Sequence, residues 1–83
     1  MKTLMFPLAT EKAINMIERN NVITYIVDTR STRSQVKKEF EEVFKVKVDK
    51  VNVMNEPRNR KRAYIKISSK FKASDIALKL KLV

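Results

Sequence analysis

The 83-residue chain contains no cysteine, no histidine and no glycine. Without cysteine there is no disulfide framework, no thiol chemistry and no zinc knuckle. Without histidine as well, the usual general base and the common transition-metal ligands are missing. About six glycines are expected at this length. Having none excludes a Walker-type loop and a dinucleotide fingerprint, because both bring bare backbone against phosphate. Left-handed turn positions then fall to asparagine, and Asn20-Asn21, Asn55 and Asn59 stand where turns are expected. No apolar run approaches the ~20 residues of a membrane span, so no direct membrane insertion is expected. The opening MKTLMFPLATEK meets Pro7 and polar sequence too early to read as a signal peptide, which leaves the cytoplasm as the expected location. The carboxylates are scattered, and Glu41 and Glu42 face different ways on a helix. No catalytic pair, cofactor, metal or small-molecule substrate is therefore expected, and the chain does not read as an enzyme.

What the chain has in excess is positive charge, a formal net of +10. Residues 1–56 carry ten Lys/Arg against eight Asp/Glu, whereas residues 57–83 carry nine against Asp75 alone. Arg58, Arg60, Lys61 and Arg62 fall within five consecutive positions. So lopsided a distribution points first to nucleic acid; an anionic membrane, an acidic protein or a merely solvated surface are the alternatives. Four clustered cations repel one another, a cost that neighbouring phosphates remove, and three arginines suit bidentate phosphate contact. The plainer reading of the run is a flexible charged turn.

The 43% of hydrophobic residues suffices for one domain over 1–83 with a thin core. Residues 4 to 6 suggest an edge strand stopped by Pro7. Thr10 is a plausible N-cap for a helix with Ala13, Ile14 and Ile17 at helical spacing, ended by Asn20-Asn21. VITYIV, from Val22 to Val27, reads as a buried strand. Thr32 and Gln35 make a capping-box pattern before a helix from about Arg33 to Phe44, whose apolar stripe is Val36, Phe40, Val43 and Phe44. On its polar face Lys38 and Glu42 stand at pairing distance. From Val46 to Met54 and from Arg62 to Ser68 the period becomes two, with a polar turn from Glu56 to Lys61 between, which predicts an antiparallel hairpin. Ala73, Ile76, Ala77 and Leu80 mark a last helix, capped from Lys72–Ser74. The expected fold is α+β: a four-stranded antiparallel sheet and three helices in the order β-α-β-α-β-β-α.

Alternation places the candidate site. If Ala63, Ile65 and Ile67 face the helices, then Arg62, Tyr64 and Lys66 line the opposite sheet face, and the hairpin partner adds Lys50 and Asn52. Such a row offers cations for phosphates, an amide for sugar or base edges and a ring for stacking. The plainer reading of Tyr64 is an ordinary solvent face with an aromatic cross-strand partner. Arg30 and Arg33 flank the second helix start within reach of phosphate, and Lys70 and Lys72 extend the basic set towards the last helix. A free-standing nucleic-acid-binding module, such as an architectural DNA protein or RNA chaperone, fits these features too.

PLATEKA (Pro7 to Ala13), VKKEFEEVFKVKVDKVNV (Val36 to Val53), KRAYIKI (Lys61 to Ile67) and KASDIALKL (Lys72 to Leu80) together resemble the universal L23 family of large-subunit ribosomal proteins, the archaeal branch above all. The resemblance implies a structural, non-catalytic protein that binds large-subunit rRNA beside neighbouring ribosomal proteins at the polypeptide tunnel exit. There, family members help dock the signal recognition particle and the protein-conducting channel. By position it implies that Glu11 is an exposed acidic docking residue, that Lys12 faces RNA, and that Asn52 lies on the RNA side of the third strand. The short, glycine-free NEPRNRKR between the last two strands resembles archaeal and eukaryotic members, not the bacterial ones whose loop enters the tunnel.

Overall fold

The computed structural model describes residues 3–81. The elements run β1 Leu4–Pro7, α1 Glu11–Asn20, β2 Val22–Val27, α2 Arg33–Phe44, β3 Val48–Glu56, β4 Arg60–Ile67 and α3 Ala73–Lys79, the order the periodicities predict. All four strands join one antiparallel sheet in the order β1-β2-β4-β3. The most basic strand, β4, is thus an inner strand with a partner on each side.

The core lies between one sheet face and helices α2 and α3. Ile23 pairs with Ile65 and Tyr25 with Ala63 across β2 and β4; Val51 and Val53 continue those rows on β3. Over them sit Val36 and Phe40 of α2, both fully buried, and Ala73, Ile76 and Ala77 of α3. The Phe40 ring meets Tyr25 edge-on at 6.2 Å and leans on Phe44 at 4.5 Å, favourable aromatic geometries. Helix α1 packs against β2 and α3, sending Ile17 into this core. Every residue of β2 is buried, the polar Thr24 included, as its β-branched and aromatic composition implies.

Helix ends follow the sequence signals closely. The Thr10 hydroxyl accepts from the Ala13 N–H, and Thr32 and Gln35 form the full capping box. Asn21 ends α1 in the left-handed region, at φ 58° and ψ 40°. For α3 the cap comes from elsewhere: Lys72 makes no side-chain cap bond, and Asn21 Oδ1 accepts from the Ala73 N–H at 2.6 Å.

Several local expectations need correction. The hairpin strands run Val48–Glu56 and Arg60–Ile67, so the turn is only Pro57–Asn59 and Arg60 and Lys61 lie in the ladder. An irregularity between Val48 and Lys50 lets Val48 join the core despite the shifted register. Asparagine takes only two left-handed positions, Asn21 and Asn59; Lys45, Arg58 and Lys81 take the others, and Asn55 is extended in β3. On α2, Val43 is 58% exposed, outside the stripe of Val36, Phe40 and Phe44. Lys38 and Glu42 form no ion pair among the described residues. Two other carboxylates of that helix instead bind backbone: Glu39 accepts from the Thr3 and Leu4 N–H groups at 2.6–3.0 Å, and Glu41 from Val48 N–H at 2.9 Å.

Candidate nucleic-acid interface

Register decides which side chains share the open sheet face. Across β3 and β4, Lys50 stands opposite Lys66, Asn52 opposite Tyr64 and Met54 opposite Arg62. Ala63, Ile65 and Ile67 are at most 1% exposed on the other side, so a slip of one residue would bury this polar row. Helix α1 roofs the β2 side of the face. Between helix and sheet runs a groove of about 440 Å³, with Lys12 and Met16 on one wall and Lys50, Asn52, Tyr64 and Lys66 along the floor. Met16 and Val22 give the groove an apolar lining that sequence reading did not assign to the site. Their helical and strand spacing (Met16 beside Lys12, Val22 opposite Lys66) was the available signal.

Tyr64 is half-buried, and its hydroxyl accepts a long bond from Arg62 Nη1 at 3.4 Å. Beside the groove, a recess of only about 10 Å³ is lined by Thr10, Thr24, Arg62 and Tyr64, a volume on the scale of one water molecule.

The run of cations at the hairpin divides among different surroundings. Arg62 Nη2 lies 2.7 Å from Glu56 Oε2, and Arg60 Nε lies 3.5 Å from Glu56 Oε1. Glu56 therefore compensates charge within the chain, a role the sequence did not suggest because the pair closes only across the turn. The Tyr64 hydroxyl and Glu56 both favour the charged Arg62 and raise its pKa, against the effect of burial. Arg60 also stands over the Phe6 ring at 5.6 Å, a cation–π arrangement that ties the hairpin end to β1. Lys61 points to the helical side, where Nζ donates to the Ser31 carbonyl at 2.6 Å. Arg58 occupies the turn at φ 69°, exposed and without an ion pair among the described residues.

The remaining candidates lie apart. Arg30 is exposed and pairs with Asp28 at 3.7 Å; with Arg58, Arg60 and Phe6 it lines a concavity of about 420 Å³ at the β1 end of the sheet. Arg33 is exposed at the first turn of α2. Lys70 and Lys72 lie on the helical side, in a groove with Phe44 and Phe71. Glu11 is exposed in the first turn of α1, where the helix dipole favours an acid. Thus Lys12, Lys50, Asn52, Arg62, Tyr64 and Lys66 come together, Arg58 and Arg60 border them, and Arg30, Arg33, Lys61, Lys70 and Lys72 do not join them. Among the described residues no cluster of three or more acidic side chains could hold a metal, and no helix is long and apolar enough to cross a membrane.

The family model described as Ribosomal protein L23 matches residues 2–81. A relative named large ribosomal subunit protein uL23, from the archaeon Methanothermobacter thermautotrophicus, is 46% identical over 93% of this chain and 90% of its own length. A protein of the same name from Trypanosoma brucei brucei is 40% identical over 99% of this chain, which spans half the length of that relative. With the family model covering nearly every residue and an archaeal relative aligned almost end to end, the chain belongs to the ribosomal protein L23 family, in its archaeal type.

Proposed function

We propose that this protein is a structural component of the large ribosomal subunit that binds large-subunit rRNA through its open sheet face. One observation carries the reading. The face free of α2 and α3 presents Lys50, Lys66, Arg62, Asn52 and Tyr64 in fixed register, while the alternate residues of β4 are sealed in the core. Lysines of α1, β3 and β4 neutralise phosphates, Asn52 offers an amide to sugar or base edges, and Tyr64 offers a ring to an unstacked base. Arg58, Arg60 and Lys61 at the hairpin end, Arg30 and Arg33 at the α2 start, and Lys70 and Lys72 before α3 form outlying cationic contacts. The family is one of structural ribosomal proteins, and catalysis has no place in this reading.

The relatives' names place them in the large ribosomal subunit, and the proposed position of this chain is the rim of the polypeptide tunnel exit, next to other ribosomal proteins. The three-residue turn Pro57–Asn59 is too short to extend far from the sheet, which suits a protein beside the tunnel. Glu11, exposed on the opposite end of α1 from Asn21, is the proposed docking residue for nascent-chain factors, namely the signal recognition particle and the protein-conducting channel.

The test is binding to a large-subunit rRNA fragment across a salt series. Replacing Lys12, Lys50 and Lys66 with Gln is expected to lower the slope of log affinity against log salt by roughly 2 to 3. In the same series Glu11→Ala should leave RNA binding intact while weakening signal-recognition-particle association with reconstituted ribosomes. An unchanged slope removes the sheet face from the interface. Equal affinity for an unrelated duplex turns the reading to a general nucleic-acid module.

A further inference from the structure

We propose that a second cationic groove, on the helical layer, holds a separate RNA segment, so that the protein bridges two pieces of RNA. The inference rests on RNA being the partner of the sheet face and extends it to the other side of the molecule.

The groove, of about 500 Å³, forms where the end of α2 and the residues after it meet the β4–α3 connection and α3. Its floor is Phe44, Val46 and Phe71, each half-buried and packed on the core. Its rim carries the exposed Lys45, Lys70, Lys72 and Lys79. Asp75 is the one acidic residue in that lining, and none of the four lysines forms an ion pair among the described residues. Lys45 caps α2 in the left-handed region, where Gly or Asn costs least, and its position at the rim puts a cation there instead.

Geometry separates this groove from the first site. Phe44, Val46 and Phe71 pack on the cluster between sheet and helices, whereas Lys50, Asn52 and Lys66 stand on the sheet's far side. The molecule measures 30 × 26 × 19 Å. A rigid RNA helix seated on one layer has its phosphates turned away from the other, so occupying both grooves takes two segments.

The chemistry of the groove favours RNA over an acidic protein. Four compact ammonium groups around one concavity suit phosphate oxygens approaching from several directions, and the aromatic floor offers ring surface to one unpaired base. An amphipathic acidic helix needs a row of deep apolar anchor sites, and this floor has three half-buried side chains.

The probe is a short RNA hairpin with a single bulged adenine, supplied as donor-labelled and acceptor-labelled copies to the full chain. Energy transfer between copies and two hairpins bound per protein are expected. Changing Lys45, Lys70, Lys72 and Lys79 to Gln should abolish transfer and leave one hairpin bound. The Lys12, Lys50 and Lys66 variant should also lose transfer, yet keep one hairpin, now in the helical groove. Urea unfolding of each variant checks that the fold persists. One hairpin per wild-type protein at saturation, or undiminished transfer in the groove variant, overturns the bridge while leaving the sheet face untouched. No hairpin bound by the Lys12, Lys50 and Lys66 variant has the same result. An Asp/Glu-rich peptide that shifts the Phe71 and Lys72 amide resonances where the hairpin does not also overturns it, assigning the groove to a protein. If only the groove variant loses binding, the sheet-face reading fails and the bridge, which rests on it, fails with it.

Discussion

At Asn21 the backbone turns through φ 58° while the side-chain amide spans three segments of the chain. Nδ2 donates to the Ile67 and Phe71 carbonyls, each at 3.0 Å, and Oδ1 accepts from the Ala73 N–H at 2.6 Å. The residue therefore ends α1, holds the end of β4 and caps α3. Only the first of these is legible in the sequence, where two asparagines follow an amphipathic run in a chain without glycine. The others depend on partners 46 to 52 residues away, which no local pattern encodes. Asn21→Gly separates the roles, because glycine keeps the left-handed turn at no steric cost but has no amide. Urea unfolding is expected to show a loss of about 1 to 3 kcal/mol, from the lost side-chain hydrogen bonds partly replaced by water. Stability equal to the wild type would mean that the turn conformation is all that Asn21 supplies. Glu56 makes the same point about the site. It neutralises two arginines that look uncompensated in the sequence, because its partners on β4 become neighbours only when the turn closes.

Helix α2 shows how far one element can be read in advance. Its start, its capping box and the buried positions Val36 and Phe40 follow from spacing alone. Its polar face does not, since a helical wheel shows Glu39 and Glu41 as solvent residues but cannot show which strands pass beside them. Glu39 anchors the start of β1 by accepting from two successive backbone N–H groups. It also lies close enough to Tyr25 to reinforce the effect of burial, and the two together raise that phenol above its ordinary pKa of 10.0. The sign follows directly. Stability from the protonated, buried phenol is fully present below pH 10.0 and is lost as pH rises through the higher folded-state value. Glu39→Ala should destabilise by about 1.5 to 3 kcal/mol, the scale of hydrogen bonds to a charged acceptor. Amide exchange should then accelerate in β1 and not in β4, and the Tyr25 titration should move towards its ordinary value without reaching it, because burial is the larger cause. Unchanged β1 exchange would show that strand pairing with β2 holds β1 by itself.

At the scale of the whole molecule, topology and charge were legible to different depths. Alternation in β4 specified which residues share the open face, since a strand has only two sides. It separates Lys61 as well, with Ala63 on the helical side, once the strand is seen to begin at Arg60 rather than after a longer turn; it says nothing of Lys70 and Lys72, whose direction depends on where α2 and α3 pack. The +10 net charge is a property of the whole chain. Three ion pairs occur among the described residues, engaging only Asp28 and Glu56 as acids, so most of the positive charge is uncompensated. With a radius of gyration of 11.6 Å, the molecule is comparable in size to the ~10 Å Debye length at 0.1 M salt, so screening acts across all of it. Self-repulsion among exposed cations is stronger in the compact state than in the expanded unfolded chain. Raising sodium chloride from very low to physiological concentration should therefore increase Tm by about 2–8 °C, on the scale of half to one kcal/mol for a domain this size. RNA affinity should fall over the same range, because each counterion released from the phosphates gains less entropy as bulk salt rises. Opposite signs for the two responses are what an under-neutralised RNA-binding surface requires. Calorimetry in a salt series decides it: a Tm that falls with salt would mean attractive pairs dominate the folded state, leaving the basic surface no electrostatic need of a polyanion.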